Sequence, residues 1–399
     1  MSAILGNQLK AYGVTGILVF LKEGVDVGGA TGVLKHFVHS ENSQLSALAA
    51  SAGIRRGTLP PGRYYPNLGV MLGTVSAGSL AALRADRRVR KVSGLPPIRM
   101  IRPVHKAAAK LTAAATWGME ALEVRKLWDQ GLDGKGVAVA HLDTGADGKH
   151  PTLRKAIAGF AEFDHFGRQR TPAPKPHDTD DHGTHTAATI AGRPVAGRAG
   201  GLAPKADLHS AIVIEGGDVV ARVIGGMDWA VGRGVKVLSM SLGFPGYWDD
   251  FLELTRILRG RGVLPVMAVG NEGPGTSRSP GNYAEALSVG ACDSKRRVAG
   301  FSSSDRFKRK RDPIVPDLVA PGVDVISAQP GGGYQSMSGT SMATPHLAGL
   351  AALLFQAKPN TSVQAIERAI LRSCTPLKGI PPGRQGSGFP NGPRALAAL

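Results

Sequence analysis

Gly339-Thr340-Ser341-Met342-Ala343-Thr344-Pro345-His346 places a serine at the mouth of an apolar helix. The small-residue turn Gly339-Thr340 leads in, and Leu347, Leu350, Leu353 and Leu354 recur at helical spacing behind it. A serine hydroxyl is a weak nucleophile until a neighbouring base takes its proton. At a helix start its own backbone N–H also points outward, where the helix dipole favours negative charge. Ser341 thus offers both an attacking oxygen and a donor for an oxyanion. Pro345 is read into the first turn, where a missing N–H costs little. Alone, the stretch fits an N-cap serine on a buried helix equally well; the rest of the chain has to decide.

Outward from it, strands alternate with helices from Trp117 onward. Residues 136–142 read as a continuous apolar strand ending in Asp143-Thr144-Gly145, and 206–214, 235–240, 263–269, 286–291 and 318–320 read as further strands. Helices are expected over 219–231 and 251–258. This alternation predicts an α/β architecture, a parallel sheet covered on both faces, with sites at the carboxyl ends of its strands. Asp143, Ser241 and Asn271 all fall at or just after such ends.

Asp181-His182-Gly183-Thr184-His185-Thr186 precedes the small apolar run 187–191. Its two histidines have no third ligand at zinc-type spacing, so metal binding is not expected there. Asn271 lies in Ala268-Val269-Gly270-Asn271-Glu272-Gly273, where glycine lets a backbone approach a ligand closely. Each piece alone reads as a turn or a cap.

The order Asp143, His182, Ser341, with His-Gly-Thr-His and Gly-Thr-Ser-Met-Ala-x-Pro-His around the last two, resembles the subtilisin-like serine proteases over about residues 117–399. The resemblance implies a three-layer fold with helices on both faces of a parallel sheet. It implies a serine endopeptidase working through an acyl-enzyme. Ser341 would be the nucleophile, His182 the general base and Asp143 the residue orienting it, with the Asn271 side chain as second oxyanion donor. It further implies that Ser241, Leu242 and Gly243 pair with an extended substrate. Ala268, Val269 and Gly270 would wall the pocket for the side chain before the scissile bond, and His185 would be structural. Arg278 falls at the base of that pocket; a free guanidinium there would favour acidic side chains, unless Glu272 neutralises it. A peptide ligase on the same site, or a latent binding protein on the same fold, are the alternatives.

Residues 1–104 read as a small α+β unit: strands over 14–21, 70–75, 89–92 and 98–101, helices over 43–52 and 79–86, and a Pro/Gly-rich turn over 57–65. The unit resembles the family's ferredoxin-like pro-domain, an inhibitor and chaperone. Residues 105–116 are expected to be an exposed linker, and the resemblance implies autoprocessing near Leu111-Thr112. The family's calcium loop has no counterpart: Arg193-Pro194-Val195-Ala196-Gly197-Arg198 and Thr152 stand where oxygen ligands would. No cofactor is expected, with room left for a weaker calcium site elsewhere.

The 399 residues are 42% hydrophobic and carry a formal charge of +18. Residues 1–111 hold 15 Lys/Arg against 4 Asp/Glu, +11 of that total. No aromatic interleaving or nucleic-acid motif accompanies this basic excess, so it is read as surface charge and not as a nucleic-acid site. Peptide or protein substrates and the chain's own N-terminal unit are the expected partners, for a monomer away from membranes. Cys292 and Cys374 make no metal or redox spacing and are read as free thiols. The first residues lack a signal-peptide pattern, which makes the cytoplasm the default expectation, and secretion the alternative had a signal been trimmed.

Overall fold

The computed structural model describes residues 9–11, 13–38, 62–95, 99–164, 166–215 and 219–399. The N-terminal unit is β1 (Val14–Leu21), α1 (Val27–Leu34), β2 (Arg63–Tyr65), β3 (Val70–Ser76), α2 (Ala77–Ala85) and β4 (Val89–Gly94). The strands form an antiparallel sheet ordered β2-β3-β1-β4. Asp26 and Ser76 cap its helices by accepting from Gly29 and Ser79. β1 is apolar at nearly every position because both of its faces are covered. Ile17, Val19 and Leu21 pack with Val33, Leu80 and Leu83 in the unit's own core. Leu18 and Phe20, on the opposite face, join a core shared with the rest of the chain. The expected helix over 43–52 lies outside the described residues. Within 57–65, Arg63–Tyr65 form a strand rather than a turn.

Two short strands follow, β5 (Arg99–Met100) and β6 (His105–Ala109). The first was expected to complete the N-terminal sheet and the second to be open linker. Both instead pair with the main unit, described below. β6 escaped the sequence reading because its side chains are mostly exposed and leave no alternating pattern; only its backbone is engaged.

The main unit begins with α3 (Trp117–Ala121) and α4 (Arg125–Trp128), then β7 (Ala138–Asp143), β8 (Ile157–Glu162), α5 (His182–Ala191), β9 (Asp207–Ile212), α6 (Val220–Gly232), β10 (Val237–Met240), β11 (Leu242–Pro245), α7 (Leu252–Gly260) and β12 (Leu264–Ala268). It continues through β13 (Arg278–Ser279), β14 (Leu287–Cys292), the short pair β15 (Asp305–Arg306) and β16 (Ile314–Val315), and β17 (Leu318–Pro321). It closes with β18 (Val325–Ala328), β19 (Tyr334–Ser338), α8 (Thr340–Ala357), α9 (Val363–Ser373), α10 (Pro382–Gln385) and α11 (Gly392–Ala397). Seven strands form a parallel sheet in the order β17-β14-β12-β10-β7-β9-β8. One face is covered by α5 and α8, the other by α6 and α7. α8 is buried from Thr340 to Phe355, which explains a helix that is apolar all round. The N-terminal sheet seats its second face on α6 and α7, where Leu18, Phe20, Val70 and Leu72 meet Val220, Ile224 and Leu254. Cys292 and Cys374 are both free thiols. Among the described residues no helix is long and apolar enough to cross a membrane.

Candidate active site

The parallel strands deliver Asp143 at the end of β7 and Asn271 just past β12, while α5 and α8 begin with His182 and Thr340-Ser341. Four residues distant in sequence are thereby delivered to the carboxyl-end side of the sheet's central strands. His182 Nδ1 bonds Asp143 Oδ1 at 2.7 Å, and the Thr144 N–H donates to the same oxygen at 2.8 Å. Both side chains are buried. Burial alone would push the imidazole pKa down, but the Asp143 charge and hydrogen bond, with Asp178 and Asp180 behind them, carry His182 above its ordinary value. Burial alone would raise Asp143; the His182 charge and hydrogen bond hold it below the usual carboxylate value.

Ser341 follows from a local rule. Pro345 is the sixth residue of α8, so it lies in the second turn and not the first. It cannot donate to the carbonyl of Ser341, four residues back. Ser241 Oγ fills that place, donating to the Ser341 carbonyl at 3.2 Å. Asn271 is fixed similarly: its Oδ1 accepts from Thr340 N and Thr340 Oγ1, both at 2.9 Å, which turns its Nδ2 into the cleft.

The cleft is filled by the chain itself. β5 lies antiparallel to β11, with Met100 opposite Leu242 and Arg99 opposite Gly243. Ile101 N donates to the Ser241 carbonyl at 3.2 Å, and Ile101 is 1% exposed. Beyond the serine, Val104 N donates to the Ser338 carbonyl at 2.8 Å, and β6 pairs antiparallel with β19. Between these anchors, Ser341 Oγ donates to the Ile101 carbonyl at 2.6 Å. Asn271 Nδ2 donates to a different carbonyl, that of Arg102, at 2.9 Å. Ser341 thus commits its one proton to Ile101. His182 Nε2 is buried and has no hydrogen-bond partner among the described residues.

The subtilase family model matches residues 134–388 of this chain, a stretch containing all four residues of the cluster. The chain belongs to the subtilase family. It is 37% identical over 278 residues to subtilisin Savinase of Lederbergia lenta, covering 69% of this chain and 96% of that protein. The M-protease of Shouchella clausii is 37% identical over 284 residues, 70% of each chain. An intracellular serine protease of Paenibacillus polymyxa is 37% identical over 289 residues, 68% of this chain and 83% of that one. This subtilase is therefore a serine-type endopeptidase whose substrates are peptides or proteins.

Other expected positions are distributed as follows. Ser241, Leu242 and Gly243 do line an extended strand, here β5 of the same chain. Ala268, Val269 and Gly270 are buried beside Arg278. Arg278 is not a free cation: its Nε and Nη2 donate to Glu272 Oε1 at 2.8 and 2.5 Å, the neutralising pair that the expected acidic preference had to exclude. His185 is buried and its Nε2 bonds the Val325 carbonyl at 2.8 Å; burial holds its pKa down at about 3, so it stays neutral. Leu111 and Thr112 are not brought to Ser341. Leu111 is buried in the main core, and the residue bonded to Ser341 is Ile101. Between them the chain is laid out as β6.

Sequence reasoning missed Ile101, Arg102 and Pro103, which carry no motif of their own, and it missed His141. The latter is a histidine inside an otherwise apolar strand, Ala138-Val139-Ala140-His141-Leu142-Asp143, and that contrast was the available signal.

Proposed function

We propose that this subtilase cleaves peptide bonds with Ser341 as nucleophile, His182 as general base and Asp143 holding the imidazole, and that the full chain is self-inhibited by residues 99–109. The observation that carries the proposal is the split at the nucleophile: Ser341 Oγ engages the Ile101 carbonyl while Asn271 engages that of Arg102. Attack requires one carbonyl to meet both the hydroxyl and the oxyanion donor. Here two successive carbonyls share the duties, so neither scissile geometry is complete. With a substrate in place of the strap, Ser341 would pass its proton to His182 Nε2. The developing oxyanion would take the Asn271 amide, and the imidazolium would then protonate the leaving amine.

The N-terminal unit fits the role of an inhibitory domain. Its Asn67 and Leu68 amides donate to Asp228 Oδ1 on α6 at 2.8 and 3.0 Å, Gly94 N donates to Asp250 Oδ1 at 3.0 Å, and Arg90 pairs with Glu253 at 2.5 Å. The strap adds Arg102 with Asp180 and an ion pair from Lys106 to Asp181. Calcium is not part of the proposal at 193–198. There, Arg193 donates to the Lys155 carbonyl at 3.1 Å and its own carbonyl accepts the Thr152 hydroxyl.

A fluorophosphonate probe tests both halves of the reading. The uncut chain should label slowly. A chain carrying a specific cleavage sequence in place of 105–109 should label quickly once it is cut and separated from its N-terminal fragment, and its Ser341→Ala form never. Fast labelling of the uncut chain overturns self-inhibition, and a separated, folded main unit that stays unlabelled overturns the triad.

A further inference from the structure

His141 is buried one strand-step before Asp143, at 1% exposure. It sits in the middle of the parallel sheet, opposite Ser210 on β9 and Ser239 on β10. A polar ring among apolar strands costs free energy unless its nitrogens are satisfied. Both are: Nδ1 lies 3.0 Å from Ser210 Oγ, and Nε2 lies 2.8 Å from Thr186 Oγ1 on α5. Thr186 Oγ1 is in turn 3.1 and 3.2 Å from the His182 and Gly183 carbonyls of its own helix and 3.4 Å from Asp143 Oδ2, and His141 Nε2 itself is 3.7 Å from that last oxygen.

The two oxygens of Asp143 have different company. Oδ1 holds His182 and the Thr144 amide. Oδ2 faces Thr186 and His141. A buried carboxylate oxygen without a donor is costly, and an ionised one more so. We propose that His141 is a positioning residue for the Asp143–His182 pair, acting through Thr186 on Asp143 Oδ2. In this arrangement Ser210 donates to Nδ1 and Nε2–H faces Thr186 and the carboxylate. The positive end of a neutral dipole thereby rests against the oxygen that His182 does not use. Burial pushes the His141 pKa down to about 4, so the ring stays neutral at working pH and adds no competing charge. The remaining titratable groups facing His182 are Asp178 and Asp180, which favour its protonated form, and neutral His185.

Without this support the negative charge is less spread out and pulls harder on the His182 proton. The proposal rests on the protease reading, so its test avoids turnover. The His182 ring is titrated by NMR in the full chain with ¹³C-labelled histidine, the resonance assigned by its loss in His182→Gln. In His141→Leu the midpoint should rise by about half a pH unit or more. In His141→Gln, which keeps an amide donor near the Nε2 position, it should return close to the parent value. Thr186→Val provides the same upward shift by removing only the relay hydroxyl, and stands in if His141→Leu does not fold. An unchanged midpoint in Thr186→Val, or in a folded His141→Leu, overturns the proposal. Such a chain, if its strap-cut form still labelled at Ser341, would leave the protease reading intact.

Discussion

At the scale of single residues, the site depends on partners that free or occupy one bond each. Pro345 leaves the Ser341 carbonyl without its helical donor, and Ser241, between β10 and β11, supplies one. Asn271 is oriented by Thr340 on one side and presents its amide on the other. In the strap-cut enzyme, Asn271→Ala should lower kcat by about 10²–10³ with little change in KM, the size measured for such a donor in subtilisin itself. Kinetics on a peptide substrate check this. The general base must be unprotonated to act, and the His182 pKa is raised, so kcat/KM should fall on acidification with a midpoint above that of free imidazole. A pH–rate profile of the cut enzyme reads it. Tight packing sets a different limit at Gly118, where an added Cβ would lie 2.3 Å from His346 Nε2 and 3.0 Å from Pro321 Cβ. His346 is buried and held by its bond to the Met342 carbonyl, so it has little room to yield. Gly118→Ala should therefore cost about 1–3 kcal/mol, seen as a lower denaturant midpoint.

Among the elements, β5 and β6 are instructive because neither belongs to a regular sheet of its own unit. They add to β11 and β19 by main-chain hydrogen bonds, the way any extended peptide can join an edge. Specific side chains therefore matter less than a backbone able to stay extended. α6 plays the complementary role on the far side. Its Asp228 carboxylate collects the Asn67 and Leu68 amides and the Asn67 side chain, gathering the β2–β3 turn. Asp228→Ala should strip these partly buried donors of their acceptor at about 0.5–1.5 kcal/mol each. Hydrogen exchange should show the amides of Asn67 and Leu68 opening at least several-fold faster, with those of β7 and α8 unaffected.

Over the whole molecule, part of the basic charge of the N-terminal residues meets carboxylates of the main unit. Arg90 meets Glu253, Arg102 meets Asp180 and Lys106 meets Asp181, while Lys91 donates to the Asp249 carbonyl. These contacts are largely exposed and weaken in salt, whereas the shared apolar core beneath them does not. Raising ionic strength should consequently leave the N-terminal sheet docked, checked by unchanged exchange protection of β1 in high salt. Arg193 and Thr152 bond to neighbouring carbonyls, so a chelator should leave the thermal midpoint unchanged. A marked drop would reveal a calcium site elsewhere.

The sequence by itself determined what depends on local chemistry and on repeating pattern. Apolar runs alternating with helices fixed the α/β class, because burial on both faces needs continuous apolar strands. Asp143, His182, Asn271 and Ser341 could be picked out only jointly, through the order and motifs that resemble the subtilisin-like proteases, because each piece alone reads as a turn or a cap. Tertiary structure alone decided what occupies the cleft. A backbone-paired strand such as β6 leaves no periodic trace, and one extra residue between two anchors changes which carbonyl meets Ser341 without altering any motif. It also decided the pairing of Arg278 with Glu272 and the support of Asp143 by His141. Both depend on distances between side chains from different elements, and no spacing along the chain encodes those distances.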